Sequence, residues 1–591
     1  MCKLVRRSRD GELVAILLVN VCAHALGASH TRSSIEARLT GGTERRGTPV
    51  LRSGGCRDPR VDRPTRSRAP WAPECFLTGS EAPRTGLTRT AIRGAGIGGG
   101  GVALRQALAL ALYLALARVA TPRDFGQFAA GSILVTAGTI LSESGMLAAV
   151  IQRRDRVEEA ANTALVSTVA AGLGLGLLGL AVAPLIGLAF ESRTIGLVAA
   201  AMSGTFVLSS GQLVPQALLQ RRFSFVRRVV SDPLSVITFG VTALIACGSG
   251  LGVWGLVLGS YAAVLVEFNL AWLFARWRPR LRLASLAMWR ELVAYGRNVL
   301  AGELAFRVAH ALQTFIIGRG VSTSALGQYG YAMRVAGQPW AALVNAASYV
   351  LFPTFARIAS DEPRLQAAFI RSLRWMALLA LPLSMILFPL GEPLVVLLLG
   401  ETWRPAGEAV TALCLYSAGH TLAGLAGELF KATGRTDLFF RVHLVSVVLA
   451  VGLMLLLLPF GLIGVATAVS LSAIGMAAYA IARVPKVVQV DVRRLLGEIW
   501  PPTAAAVVMA AAIDPVERFL IDADGRSVGA GLALLGAEGA LAAAVYLAAL
   551  RVFSATMASE VTAALKTAVG YLFVRLRLRS ARAAGAEPPS A

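Results

Sequence analysis

Apolar runs of about 20 residues recur along the chain from residue 97 to residue 550, separated only by short polar gaps. A helix needs roughly 20 apolar residues to cross the hydrocarbon of a bilayer. Fourteen spans are predicted, near 97–117, 127–149, 161–186, 194–217, 232–249, 252–274, 298–318, 328–353, 375–399, 406–430, 442–459, 462–483, 498–514 and 528–550. The pattern is that of an all-α polytopic membrane protein. Residues 1–93 break it. They are rich in Arg and Pro (RDPRVDRPTRSRAP), hold no sustained periodicity and are expected to be disordered. Within them, residues 13–28 (LVAILLVNVCAHALGA) follow Arg6, Arg7 and Arg9 in the manner of a signal peptide. A cleaved signal would place residue 93 outside the cell, against the loop charges described next. The segment therefore reads as a dispensable tail or a mis-called start.

Composition supports the membrane reading. Of the 591 residues, 55% are hydrophobic and only 15% charged, with a mean hydropathy of +0.64; a soluble domain carries about 25% charged residues. The net charge of +23 would otherwise suggest nucleic acid. Its arginines, however, sit in short clusters between apolar runs, and no nucleic-acid partner is expected. One set of alternate loops holds 24 Arg and Lys residues: Arg153, Arg154, Arg156, then Arg221, Arg222, Arg227, Arg228, then Arg276, Arg278, Arg280, Arg282, Arg290, Arg297, then Arg357, Arg364, Arg371, Arg374, then Lys431, Arg435, Arg441, and finally Arg483, Lys486, Arg493, Arg494. The other set holds 7: Arg118, Arg123, Arg193, Arg319, Arg404, Arg518 and Arg526. Basic loops stay cytoplasmic, so both termini are expected there. The six cysteines form no CxxC and no metal spacing.

The chain also repeats itself. RVATPRDFGQF (118–128) aligns with RGVSTSALGQY (319–329) at an offset of 201 residues, matching Arg118 with Arg319, Gly126 with Gly327, Gln127 with Gln328 and Phe128 with Tyr329. GVWGLV (252–257) matches GLIGVA (461–466) at an offset of 209. Two parallel six-helix repeats follow, an arrangement found in transporters. The expected organisation is a tail at 1–93, a six-helix bundle and linker at 94–297, a second six-helix bundle at 298–497, two extra helices at 498–550 and a cytoplasmic amphipathic tail at 551–591.

Ionisable residues inside spans are costly and mark function by default. Glu303, Arg307, His310 and Thr314 fall within about 60° of one another on span 7, forming one polar stripe. It faces a wet cavity on one reading; on the competing one, Glu303 and Arg307 merely pair and lock helix packing. Span 1 offers Arg105 and Gln106, and the 201-residue offset maps Gln106 onto Arg307. Arg334, Glu143 and Glu428 are weaker candidates that could snorkel to an interface. Glu538 and His420 read as isolated. Gly94, Gly96 and Gly99 fit GxGxxG without the strand that motif requires, Asp522 and Asp524 read as a turn before Gly525, and no P-loop is present.

LARVATPRDFGQFA with GMLAAVIQRR resembles the opening of the polysaccharide transporter (Wzx-type flippase) family of the MOP superfamily. NVLAGELAFRVAHALQTFIIGRGVSTSALGQYGYAMRV with VLFPTFARI, LLLGETWRPAG and KATGRTD is similar to its later signatures. The resemblance covers about 95–485. It implies MATE/MOP-like bundles in the bacterial inner membrane and export of a polyprenyl-pyrophosphate-linked oligosaccharide, not an enzymatic activity. Arg105, Gln106, Arg307, His310 and Arg334 become candidate substrate contacts, and Glu303, Gln313, Glu143 and Glu428 candidate ion-coupling positions. At the centre of span 7, where the family often has an acid, this chain has Gln313. No cofactor is expected; H+ or Na+ coupling is left open. The lipid bilayer, a polysaccharide polymerase and a chain-length regulator are the implied partners. Two alternatives remain: a MATE-like multidrug or cation antiporter, which would want an acidic or aromatic cavity, and a membrane glycosyltransferase or polymerase, which would want a large extramembrane loop. No gap between the spans exceeds about 25 residues.

A reporter fused after Arg228 or Arg282 is expected in the cytoplasm, and one fused after Ser324 or Asp524 outside. An external signal from the Arg282 fusion would overturn the fourteen-span order.

Overall fold

A computed structural model describes residues 108–136, 138, 150, 155–221 and 225–566. The first half begins with α1 (Leu108–Ala117) and α2 (Pro122–Gly131), then α3 (Val157–Ala189), α4 (Arg193–Ser203), α5 (Thr205–Arg221), α6 (Phe225–Ala246) and α7 (Val253–Ala275). The long α8 (Leu286–Gly320) leads into α9 (Thr323–Ala336), α10 (Gln338–Ile358), α11 (Glu362–Met385), α12 (Leu387–Leu399) and α13 (Arg404–Ala412). There follow α14 (Tyr416–Ala432), α15 (Thr436–Leu457), α16 (Gly461–Arg483), α17 (Val492–Val516) and α18 (Val528–Phe553). Seven helical stretches among the described residues are long and apolar enough to cross a membrane. The count is eight if Glu401–Ala412 and Tyr416–Ala432, bent by 43°, make one span. The run near 375–399 divides between α11 and α12, joined at Ile386.

Hydrophobic burial alone does not explain the outer surface. Leu177 and Leu188 on α3, Ile245 on α6, Leu273 on α7 and Leu456 on α15 are all exposed. In water such a belt would cost about 25 cal/mol per Å². In hydrocarbon it costs nothing, so these helices are built to face lipid.

Among the described residues, the three largest apolar clusters organise the inside. One contains only residues between 150 and 292, from α3, α5 and the start of α8. A second contains only residues from 351 onward, and it includes α17 and α18. The third runs across both halves, from Leu116 and Phe125 to Tyr331, Trp403 and Val469. The halves therefore share a core at the end that carries residues 116–126, 325–331 and 399–403. Among the described residues, the other two clusters each stay within one stretch of the chain.

The repeat explains how the shared end closes. Thr121 caps α2, accepting from the Asp124 amide while Asp124 Oδ2 accepts from the Thr121 amide. At the same repeat position Ser322 caps α9, accepting from the Ala325 amide at 3.0 Å. Each cap satisfies amides that a helix start leaves unpaired. The two capped helices then cross backbone to backbone. A Cβ on Gly126 would collide with the Thr323 carbonyl, and one on Gly327 with the Pro122 carbonyl. Thr323 and Pro122 are themselves 201 residues apart, so the contact is reciprocal.

The extra helices dock on the second half. The Arg374 guanidinium grips both oxygens of Glu498 at 2.6 and 3.0 Å and reaches Glu560 at 2.9 Å. Tyr546 donates its hydroxyl to the Leu378 carbonyl at 3.1 Å.

Gly126→Ala and Gly327→Ala are each expected to destabilise the protein by about 1–3 kcal/mol, the usual cost of overpacking. Gly330→Ala, on the same α9 but with open space at its Cβ, is expected to be neutral or to stabilise by up to about 1 kcal/mol. Thermal unfolding in detergent checks the contrast; equal effects at 327 and 330 would contradict it.

Candidate functional site

Four aromatic rings seal the shared end. Phe125 meets Tyr331 edge-on at 4.9 Å, Tyr331 meets Trp403 at 4.3 Å and Phe125 meets Trp403 at 5.8 Å. Tyr113 adds an edge contact to Tyr331 at 6.4 Å. Such tilted and edge contacts suit the ring quadrupoles. Buried polar tips need partners, and here they find them in the opposite half. Tyr331 donates to the Tyr113 carbonyl at 2.9 Å and Trp403 Nε1 to the Ala117 carbonyl at 3.0 Å. Arg118 donates to the carbonyls of Leu398 and Leu397 at 2.9 and 3.0 Å, satisfying the end of α12. Nearby, Arg319 pairs with Glu191 at 2.6 Å, and Phe190 packs edge-on against Phe315. Sequence reasoning missed Tyr113, Phe125, Tyr331 and Trp403 as a unit. Their contacts span up to 286 residues, and no local pattern encodes them.

Just beneath this plug lies Arg334, one helical turn after Tyr331 on α9. Its Cζ stands 3.5 Å from the Tyr113 ring centroid and 5.7 Å from that of Tyr331. The guanidinium is thus held by an aromatic face from the other half while the residue remains exposed. A cation fixed at the edge of the shared core can bind an anionic group between the halves.

The other candidates divide. His310 is exposed on α8 and its carbonyl accepts from Thr314 at 3.0 Å; Gln313 is half-buried on the same helix. Glu303 and Arg307 lie within the helical backbone of α8, but their side chains fall outside the described residues. Arg105, Gln106 and Glu143 also lie outside them. Glu428 is buried and holds Lys431 at 2.8 Å, an ion pair inside the second half.

Two residues that read as isolated are not. His420 packs at a tilt on the Tyr416 ring at 4.2 Å, bonds the Tyr416 carbonyl through Nδ1 at 3.1 Å and meets Trp340 edge-on. Glu538 lies fully buried against Glu517. Trp340 and Glu517 were not visible because each arrives from another helix. Asp522 and Asp524 do form a turn, with Asp522 left-handed at φ 47°. Asp524, Glu392 and Glu401 converge on Arg404 at 2.6–2.9 Å, around a cavity of about 510 Å³. The Arg404 guanidinium holds the Glu401 carboxyl below its ordinary range.

A family model described as polysaccharide biosynthesis protein matches residues 115–408. That stretch of the chain is similar to this polysaccharide biosynthesis family. It is 26% identical over 343 residues to the succinoglycan biosynthesis transport protein ExoT of Rhizobium meliloti (strain 1021), covering 57% of this chain and 68% of that one. It is 24% identical over 340 residues to the lipopolysaccharide biosynthesis protein WzxC of Escherichia coli (strain K12), covering 56% and 68%. Its fold is similar to that of lipid II flippase MurJ in an inward closed conformation, with a TM-score of 0.62 and 15% identity over 77% of this chain and 97% of MurJ. The family match takes in both glycine-bearing helices, Phe125, Tyr331 and Trp403 of the aromatic plug, and Arg334.

Trp403→Phe keeps a ring in the plug but removes the bond to Ala117, and is expected to cost about 1 kcal/mol. Trp403→Ala also empties a fully buried site and is expected to cost about 3–5 kcal/mol. Equal unfolding temperatures for the two variants would show that the ring does not hold the halves together.

Proposed function

We propose that this protein moves a polyprenyl-pyrophosphate-linked oligosaccharide from the cytoplasmic to the periplasmic leaflet of a bacterial inner membrane by alternating access. The reading takes the fourteen spans as two parallel six-helix repeats plus a hairpin, with both termini cytoplasmic. The observation that carries it is the meeting of two features: one end of the bundle is closed by a core common to both halves, and a cation sits at its base. A sugar head and its pyrophosphate cannot cross hydrocarbon, where each unsatisfied polar group costs several kcal/mol. A cleft between the halves offers them a polar route while the lipid tail stays in the bilayer. The transport and lipopolysaccharide relatives named above support this class of cargo.

In this reading Arg334 is the anion contact at the base of the plug, with Arg105, Gln106, Arg307 and His310 as further substrate contacts. A guanidinium fork matches paired phosphoryl oxygens, whereas an ammonium is a point charge. Glu303, Gln313 and Glu143 remain proposed coupling positions. Glu428 is better explained by its pairing with Lys431. A cation antiporter has less support, because the described charge at the base of the plug is positive.

In a flippase-null strain, Arg307→Ala is expected to abolish surface glycan at normal protein level, and Arg307→Lys to restore it in part. Arg334→Ala is expected to reduce export at least tenfold, about 1.4 kcal/mol of lost anion stabilisation. Full export by the Glu303→Gln, Arg307→Gln double variant would show that the two residues only neutralise each other.

A further inference from the structure

Three helices of the first half bring one carboxyl group and several neutral oxygens together at membrane depth. Glu267 on α7 lies eight residues before Ala275, about 12 Å from that end of the helix. It accepts from Ser235 Oγ of α6 at 2.8 Å and from Gln212 Nε2 of α5 at 3.1 Å. Ser235 and Gln212 are 4% and 6% exposed.

The group has more acceptors than protons. The single hydroxyl hydrogen of Ser235 faces both Glu267 Oε1 and the Asp232 carbonyl, the latter at 3.0 Å. It can serve only one well. Gln212 Oε1 is buried with no hydrogen-bond partner. Pro215, within α5, lacks the amide that would bond the Gly211 carbonyl beside Gln212. Among the described residues, no Arg or Lys pairs with Glu267. A carboxylate at this depth needs a neutralising partner, and buried acceptors need donors or a cation.

We infer that Glu267, Ser235 and Gln212 form a binding site for a monovalent alkali cation. One carboxylate with neutral oxygens balances a single positive charge, and hard oxygen donors suit an alkali ion rather than a transition metal. A half-turn of the Gln212 amide exchanges its nitrogen and oxygen, turning the orphaned Oε1 toward the carboxylate as a further ligand. Bound there, the cation ties α5, α6 and α7 together and stabilises the first half. The inference rests on the geometry of that half and not on the identity of the cargo.

The test uses the full-length protein in detergent, unfolded thermally in NaCl or in choline chloride at equal ionic strength. The unfolding temperature is expected to be about 2–4 °C higher in Na+. Ser235→Ala is expected to shrink this difference and Glu267→Gln to abolish it. Asn269→Ala, an exposed neighbour on α7, should retain it in full. Equal unfolding temperatures of the unaltered protein in the two salts would overturn the site. So would stabilisation that follows falling pH but ignores Na+, which would make the occupant a proton. Because the readout is binding, a failure of the lipid-linked cargo assay leaves this result separately readable.

Discussion

Two helices related by the internal repeat cross where neither can carry a side chain. Gly126 meets the start of α9, Gly327 meets the start of α2, and a methyl group at either position strikes a carbonyl oxygen. This approach decides what else can form at that end. It sets Phe125 against Tyr331 and lets Trp403 reach the Ala117 carbonyl. Because packed interfaces are either seated or parted, the closed end is expected to open as a two-state element and not as a soft hinge.

The chemistry of the cleft follows from where that closure stops. Arg334 sits one turn below the plug, its guanidinium on the Tyr113 ring of the opposite half. Parting the halves removes the ring from the cation, so the proposed anion contact and the closure are mechanically linked. The second half is braced independently: Arg374 ties α11 to α17 and to Glu560, and Arg404 gathers Glu392, Glu401 and Asp524 at the other end. Ion pairs near the surface are individually weak, but a shared, part-buried guanidinium with good geometry makes a network.

Much of the architecture was legible because hydropathy and the repeat act locally. The offset that pairs Gly126 with Gly327 also pairs their caps, and the reciprocal contact is its three-dimensional consequence. The aromatic plug was not legible, since Tyr113, Trp403 and Arg334 meet only through the packing of two halves. Glu267 escaped notice for another reason: one acid in a mostly apolar helix of 23 residues barely lowers the mean of a window. Its partners Ser235 and Gln212 lie 32 and 55 residues away on other helices. Linear distance likewise hid Trp340 from His420 and Glu517 from Glu538, whereas Tyr416, one turn from His420, was within reach of the helical spacing.

The central claim is that the two halves exchange closure between their ends. Spin labels at Arg282 and Arg364 lie beside the clusters that each stay within one stretch of the chain, and labels at Arg193 and Glu401 report the end closed by the glycine contact; all four residues are exposed. Double electron–electron resonance on cysteine-substituted protein in lipid nanodiscs measures both separations. The account predicts a long 282–364 distance with a short 193–401 distance, and a second population with the order reversed that grows in Gly126→Ala. A single unchanging distance for each pair, in the parent and in Gly126→Ala alike, would contradict it.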